Sequence, residues 1–282
     1  MFRDPQKNSM LCPGCRRLIS RDEPTCPYCA LQNPGSWWKN SRLTAVLTEP
    51  DRFIHLIVWT NVIMYILSLL INLGGSSLGG NPMTFLSPNN RSLLLLGATG
   101  TLPIDQFHRW WSLLSANYLH GGLLHIIFNM MALRQLGPLA TQEYGPYRTV
   151  SIYSLAGVGG FLLSYLAGVP FTIGASAAVC GLIGAMIYYG KSRGGVYGDT
   201  IYRQVGGWAI GIVIFGFLIP GINNWGHGGG MLAGIVLGYL LGYQERLRES
   251  LGHRLTGVII MILTVLTLLW AGGSTLYYLS GR

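Results

Sequence analysis

Five polar side chains lie in otherwise apolar sequence and could carry out chemistry together. Ser176 lies in GASAAVCGL and His227 in NNWGHGGG, whereas His120, His125 and Asn129 all lie in HGGLLHIIFN. A serine hydroxyl becomes a useful nucleophile when a base such as imidazole removes its proton. Imidazole and amide donors can then stabilise the negative charge that develops on a carbonyl oxygen. These residue types therefore favour acyl transfer by a serine–histidine pair, provided that the fold brings them together.

The composition places these residues in a membrane protein. The 282 residues are 50% hydrophobic and only 10% charged, with a mean hydropathy of +0.40, whereas a soluble domain carries about 25% charged residues. A helix that crosses a bilayer needs roughly 20 mainly apolar residues. Seven segments are predicted spans: 53–73, 113–134, 149–168, 175–190, 205–220, 226–243 and 256–279. We therefore predict an all-α polytopic membrane protein.

The basic residues predict the orientation of the chain. With a cytoplasmic N-terminus, 16 of the 19 Lys and Arg fall on the cytoplasmic side, and only Arg91, Arg109 and Arg282 lie outside. Such enrichment is typical of cytoplasmic loops, so it explains the net charge of +9 without a nucleic-acid partner. We expect a multi-pass protein of a bacterial inner or plasma membrane, with the C-terminus outside. The second, fourth and sixth spans then begin on the outer side, where all five candidate residues lie.

Small residues allow two of these spans to approach closely. In the sixth span glycine recurs at every fourth position: Gly226, Gly230, Gly234, Gly238 and Gly242. The fourth span has small residues at the same spacing: Ala177, Gly181 and Ala185. Such stripes let membrane helices pack with their backbones close together. If the two stripes meet, they form a seam along which the two helices touch. Ser176 and His227 then each lie one residue from this seam, at its outer end.

Other interpretations of these residues stay open from the sequence. A serine at the start of a helix commonly caps that helix, and a small-residue stripe can serve packing alone. No carboxylate accompanies the pair, because of the ten Asp and Glu only Asp105 is predicted to lie outside. A polar cluster can also line the pathway of a transporter or channel, although spans four to six carry few polar groups at greater depth.

The N-terminal residues carry a separate signal for a metal. Four cysteines form two C-x-x-C pairs separated by ten residues: Cys12, Cys15, Cys26 and Cys29. Two such pairs can bind one Zn²⁺ through four thiolates, and the metal would supply the folding free energy that so short a segment lacks. We predict a structural zinc ribbon, with a disulfide or redox pair as the alternative that a cytoplasmic location disfavours. The sequence does not identify a partner for this ribbon.

Taken together, the motifs resemble those of rhomboid intramembrane serine proteases. GASAAVCGL resembles the G-x-S motif of that family, HGGLLHIIFN its H-x₄-H-x₃-N motif, and the segment from His227 to Gly234 its H-x₂-G-x₃-G motif. The motifs occur in the family's order over roughly residues 50–245. The resemblance implies a rhomboid-like six-helix core with one added C-terminal transmembrane helix.

The resemblance also implies a role for each candidate residue. Ser176 would be the nucleophile and His227 the general base. An oxyanion site would be formed by His125, Asn129 and the Ser176 amide, and His120 would support the loop. Substrates would be transmembrane proteins within the lipid bilayer, and catalysis would need no cofactor. The expected domains are a zinc ribbon at 1–30, a linker at 31–52, a catalytic core at 53–245 and a seventh transmembrane helix at 246–282.

Three positions depart from the pattern of that family. Ala177 stands where glycine often follows the nucleophile, and Cys180 stands where a tyrosine often packs on the catalytic histidine. Ser112 follows Trp111 where an arginine is usual, although Arg109 lies nearby. The alternative function is therefore that of an inactive relative, which binds transmembrane segments without cleaving them.

Overall fold

The computed structural model describes residues 9–13, 17–36, 50–71 and 85–281. The chain divides into two units, Met1–Phe53 and Ile54–Arg282. In the first unit, strands β1 (Ser9–Leu11) and β2 (Leu18–Ser20) pair in antiparallel fashion. Met10 and Ile19 are paired across this hairpin, and Ile19 packs with Cys12 and Cys26 in a small core. Two cysteines of the predicted ribbon, Cys12 and Cys26, therefore lie in the interior of this unit, whereas Cys29 is exposed.

Long helices make up most of the remaining chain. Beyond the hairpin, the described residues form seven of them: α1 (Pro50–Leu70), α2 (Leu123–Tyr144), α3 (Pro146–Leu166), α4 (Ser176–Arg193), α5 (Gly195–Leu218), α6 (Asn224–Leu241) and α7 (Leu251–Leu279). Each of them overlaps one predicted span. The domain boundaries that we expect from the sequence stay predictions.

Four of these helices are long and apolar enough to cross a membrane. They are Phe53–Leu70 within α1, and the whole of α3, α5 and α7. Glycine and polar residues lower the hydropathy of α2, α4 and α6, which are the helices that carry the candidate site. Most of α4 is buried among its neighbours, whereas α5 and α7 expose long apolar side chains. The chain is an all-α polytopic membrane protein, which confirms the predicted fold class.

Helix α4 lies at the centre of the helical unit. It packs most extensively against α6 and also contacts α2, α3 and α5. Helix α6 packs along α3 as well, and α7 also lies against α3. The C-terminal helix is thus an addition to a bundle built around α4, as predicted for a six-helix core with one further helix.

The two small-residue stripes meet along α4 and α6. A Cβ atom on Gly230 would lie 2.9 Å from the Ala177 carbonyl carbon and nearer still to its oxygen. One turn further, a Cβ atom on Gly234 would lie 2.7 Å from the Gly181 Cα. Such distances leave no room for side chains, so the two backbones touch. Gly242 is an exception within the predicted stripe, because it follows the end of α6 with φ +66° and faces Leu247.

Two predicted spans are wrong in their position. The second was placed at 113–134, but α2 begins at Leu123 and ends at Tyr144. Ser112–Ser115 and Ala116–Tyr118 form separate short helices, and Leu119 is extended. The fifth was placed at 205–220, but α5 begins at Gly195 and includes Asp199 and Arg203. In both cases the helix continues past the apolar stretch, because backbone hydrogen bonding does not stop where hydropathy falls.

The connection between α1 and α2 is anchored to the segment that precedes α4. Thr99 and Thr172 exchange two backbone hydrogen bonds, of 3.1 and 2.7 Å. The Gly174 N–H donates to the Ala116 carbonyl oxygen at 2.9 Å. Ser176 follows two residues later, so these bonds hold the start of α4 in place.

Candidate active site

Ser176 is the first residue of α4 and does not cap it. Ala175 occupies the N-cap position, and no side chain makes a capping hydrogen bond there. The capping interpretation of Ser176 is therefore wrong. The first N–H groups of a helix have no acceptor within that helix, so the start of α4 presents the Ser176 hydroxyl together with unpaired backbone donors. Gly174, with φ +127°, makes the turn that exposes them.

His227 lies at the same end of the seam as Ser176. Ala177 directly follows Ser176 and contacts Gly230, which lies one turn after His227. The His227 ring is half-buried, and its Nδ1 atom is buried without a hydrogen-bond partner in the described chain. The Ser176 hydroxyl and the His227 ring are not hydrogen bonded to each other in this structure; such bonds often tighten only when substrate binds. Their catalytic roles stay predictions.

His125 presents a hydrogen-bond donor beside Ser176. Its Nδ1 accepts from the Gly121 N–H at 3.3 Å, and an acceptor nitrogen carries no proton, so the neutral ring holds its proton on Nε2. A Cβ atom on Gly174 would lie 2.8 Å from this Nε2 and 3.5 Å from the Ser176 Oγ. The donor and the hydroxyl therefore flank Gly174, and a side chain at this position would collide with the imidazole.

Asn129 and His120 both support His125. Asn129 is 7% exposed, and its Nδ2 donates to the His125 carbonyl oxygen at 2.9 Å, one turn back along α2. The amide has a second N–H that this bond does not use. His120 is fully buried before the start of α2, and its ring meets the His125 ring edge-on with centroids 5.0 Å apart. His120 therefore lies behind the imidazole that faces Ser176.

The departures from the rhomboid pattern have different structural consequences. Cys180 is fully buried in α4, one turn after Ser176. Ser112 donates to the Thr99 hydroxyl at 2.9 Å, and Arg109 donates to the Leu94 carbonyl oxygen at 2.7 Å. The connection between α1 and α2 is thus hydrogen bonded by both residues. Cys180 stands where a tyrosine often packs on the catalytic histidine, so other groups have to orient His227.

One contributor to the site was missed from the sequence. Asn223 caps α6 by accepting a hydrogen bond from the Gly226 N–H. An asparagine directly before a glycine-rich apolar run is a recognised helix-start signal, and it would have placed the beginning of α6. Its other partners, Ser164 and Thr172, are distant in sequence and could not have been inferred from the local sequence.

The N-terminal unit brings together the ligands for a metal ion. The sulfur atoms of Cys12, Cys26 and Cys29 lie within 4.8 Å of one another, and those of Cys12 and Cys29 are 3.7 Å apart. A tetrahedral Zn²⁺ with Zn–S bonds of about 2.3 Å separates its sulfur ligands by roughly this distance. These three thiols could therefore hold a metal. Cys15, the fourth predicted ligand, lies outside the described residues.

Hydrogen bonding prepares one of these thiols for metal binding. Burial raises the pKa of Cys26, but hydrogen bonds from the backbone at Tyr28 and Cys29 and from neighbouring thiols outweigh burial and lower the pKa to about 7. The thiolate is the form that binds zinc. These hydrogen bonds therefore favour the form of Cys26 that a metal binds.

Known proteins are similar to this chain across most of its helical unit. Residues 108–244 match the Rhomboid domain family. The chain is 31% identical over 224 residues to Rhomboid protease GluP of Bacillus subtilis, which covers 78% of this chain and 40% of that protein. It is 33% identical over 163 residues to RHOMBOID-like protein 4 of Arabidopsis thaliana, covering 57% of this chain and 41% of that one.

A further relative is described as inactive. The chain is 33% identical over 177 residues to Inactive RHOMBOID-like protein 8 of Arabidopsis thaliana, covering 61% of this chain and 49% of that protein. The chain thus spans about half, or less, of the length of these three relatives. The matched residues include all three motifs and the helices that carry them. The chain is therefore a homologue of the rhomboid proteases and carries a Rhomboid domain at residues 108–244.

Proposed function

We propose that this chain is an intramembrane serine endopeptidase that cleaves transmembrane segments of other proteins. The observation that carries the proposal is the contact between Ala177 and Gly230, which brings the start of α4 and the start of α6 to one place. The donor on His125 lies beside the same serine. Similarity to Rhomboid protease GluP supports the same reaction.

Ser176 and His227 share the proton transfers of this reaction. His227 removes the proton from the Ser176 hydroxyl as Oγ attacks the peptide carbonyl carbon. The C–N bond then breaks, and the protonated imidazole returns the proton to the leaving amine. Water next attacks the acyl-enzyme, with His227 again accepting the proton. The bond between the acyl carbon and the Ser176 Oγ then breaks, His227 returns the proton to Oγ, and the second product leaves as a carboxylic acid. No step needs a metal or a cofactor.

Three donors stabilise the negatively charged oxygen of the tetrahedral intermediate. They are the Nε2–H of His125, the unused amide N–H of Asn129 and the backbone N–H of Ser176. The Gly121 N–H holds the His125 ring in the tautomer that donates at Nε2. Loss of one such donor typically costs about 3 kcal/mol of transition-state stabilisation. The first turn of α4 adds backbone dipoles of the favourable sign.

The substrates are membrane-spanning proteins whose helix unwinds locally near the site. A helix within the bilayer hides its peptide bonds through internal hydrogen bonds, so an intact helix cannot present a carbonyl to Ser176. With the N-terminus in the cytoplasm of a bacterial cell, the site opens to the outer side. The cytoplasmic ribbon holds Zn²⁺ in a purely structural role.

Labelling of the purified protein with a serine-directed fluorophosphonate tests this proposal. We expect labelling of the wild type and its loss in both Ser176→Ala and His227→Ala. Ser192→Ala, at the opposite end of α4, is the matched control and should label at the wild-type rate. If the wild type neither labels nor cleaves any transmembrane test substrate, the proposal fails, and the alternative of a catalytically inactive rhomboid-like protein is favoured instead.

A further inference from the structure

A catalytic imidazole is commonly oriented by a second group, and among the described residues neither a hydrogen bond to Nδ1 nor a tyrosine one turn after Ser176 does this for His227. A serine–histidine pair is commonly completed by a third side chain that holds the base. In the described chain the buried Nδ1 of His227 accepts no hydrogen bond from a side chain and donates none. Cys180 occupies the position one turn after Ser176 and is too short to stack on a ring. The backbone that carries His227 therefore becomes important for its orientation.

We propose that Asn223 is the positioning residue that holds His227 opposite Ser176. This inference rests on the proposed function and concerns the same site. Asn223 fixes the backbone of His227 directly, because its carbonyl oxygen accepts from the His227 N–H at 3.1 Å. Its side-chain Oδ1 accepts from the Gly226 N–H at 3.0 Å. Both bonds define the first turn of α6.

The other end of the same amide binds two different parts of the chain. Because Oδ1 faces a backbone N–H, Nδ2 must face the opposite way, where it donates to the Ser164 Oγ and the Thr172 Oγ1, each at 2.8 Å. Ser164 donates its own proton to the Gly160 carbonyl oxygen at 2.9 Å, so its oxygen is available as an acceptor. Ser164 is fully buried and Thr172 is 6% exposed. The two bonds from the Asn223 Nδ2 to Ser164 and Thr172 together form the Asn223 bridge.

The Asn223 bridge connects both halves of the catalytic pair. Ser164 belongs to α3, and Thr172 lies four residues before Ser176 in the segment that leads into α4. Thr172 is itself bonded through its backbone to Thr99, in the connection between α1 and α2. One amide therefore ties the helix that carries His227 to the segment that carries Ser176. The contact of Gly230 with Ala177, farther along α6, is a second connection between these two elements.

The bridge has little room to shift. A Cβ atom on Gly226 would lie 3.0 Å from the Asn223 Nδ2 and 3.2 Å from the Ser164 Oγ. The glycine before His227 thus lets α6 reach α3 closely enough for the bridge to form. A misplacement of about 1 Å between reacting groups can cost 10²-fold in rate, so a modest relaxation here would be measurable.

Two variants break the bridge while keeping the fold. Asn223→Ser retains a good N-cap but is too short to reach Ser164 and Thr172. Thr172→Val removes one acceptor with little change of shape. For each we expect the turnover number for a transmembrane substrate, and the rate of fluorophosphonate labelling, to fall about 10- to 100-fold. We expect KM to stay within about twofold, because the bridge does not touch substrate.

Asn224→Ser is the matched control. Asn224 lies in the same turn and donates to the Gly216 carbonyl oxygen at 2.9 Å, so its loss perturbs the start of α6 without touching the bridge. We expect Asn224→Ser to lower the melting temperature to a similar degree and to leave the turnover number near that of the wild type. The double variant Asn223→Ser/Thr172→Val should be no slower than the slower single variant, because both remove the same bridge.

The outcomes separate this inference from the proposed function. A wild type that fails to label overturns the proposed function, and the inference with it. A labelled wild type with Asn223→Ser at the same rate overturns the inference alone. Equal losses of rate in Asn223→Ser and Asn224→Ser, in step with their melting temperatures, would show that Asn223 serves stability only and would also overturn it.

Discussion

Replacing Gly230 by alanine tests whether the contact of α4 with α6 sets the geometry of the site. The new Cβ atom would lie 2.9 Å from the Ala177 carbonyl carbon, with the carbonyl oxygen nearer still. Ordinary carbon contacts begin at about 3.5 Å, and the obstacle is backbone, which cannot turn aside as a flexible side chain can. The two helices must therefore separate by an amount on the order of 1 Å at the residue next to Ser176.

This separation has two expected consequences. Overpacking of this kind costs about 1–3 kcal/mol in the free energy of unfolding. Displacement of His227 from Ser176 by about 1 Å should reduce the rate of fluorophosphonate labelling by about 10²-fold. Both quantities can be measured on the same detergent-solubilised protein, by labelling kinetics and by thermal unfolding.

Gly228→Ala provides the control within the same turn of α6. A Cβ atom on Gly228 would meet no atom within 4 Å, and alanine is favoured over glycine in a helix by roughly 0.5–1 kcal/mol. We expect this variant to label at the wild-type rate and to unfold at an equal or slightly higher temperature. If Gly230→Ala labels at the wild-type rate, the geometry of the site does not depend on the contact of α4 with α6.

Two further predictions concern the oxyanion donors and the metal. His125→Ala should lower the turnover number about 10²- to 10³-fold with little change in KM. Steady-state kinetics on a transmembrane substrate check this expectation. A raised KM at constant turnover number would instead assign His125 to substrate binding. The full-length protein should contain one Zn²⁺ per chain by elemental analysis, and Cys26→Ser should lose it while Ser176 still labels; a metal-free wild type would exclude the zinc ribbon.

Much of the site could be predicted from the sequence because its residues are costly in a membrane. A hydroxyl, imidazoles and an amide within apolar segments stand out against their surroundings, and the charge distribution assigned them all to one side. The glycine repeat of α6 predicted a backbone contact, and Gly230 and Gly234 confirm it. These features are local patterns, which depend on the residue types and their spacing along one helix.

The precise start of α2 could not be predicted in the same way. Hydropathy continues through Leu113, Leu114 and Leu119, but the chain there forms two short helices and an extended residue before Leu123. The bonds of Thr99 with Thr172, and of Gly174 with Ala116, hold the neighbouring segments instead. The start of α2 therefore depends on contacts between residues that are distant in sequence. Apolar character alone predicts this start ten residues too early.

The class of the protein, the approximate positions of its long helices and the residues equipped for chemistry thus follow from the amino-acid sequence alone. The orientation of those residues depends on how the helices pack. The Gly121 N–H selects the tautomer of His125, and Asn223 joins Ser164 of α3 to Thr172 before α4. Hydrogen bonds depend on distance and angle to within a few tenths of an ångström, and that precision exists only once several helices have packed.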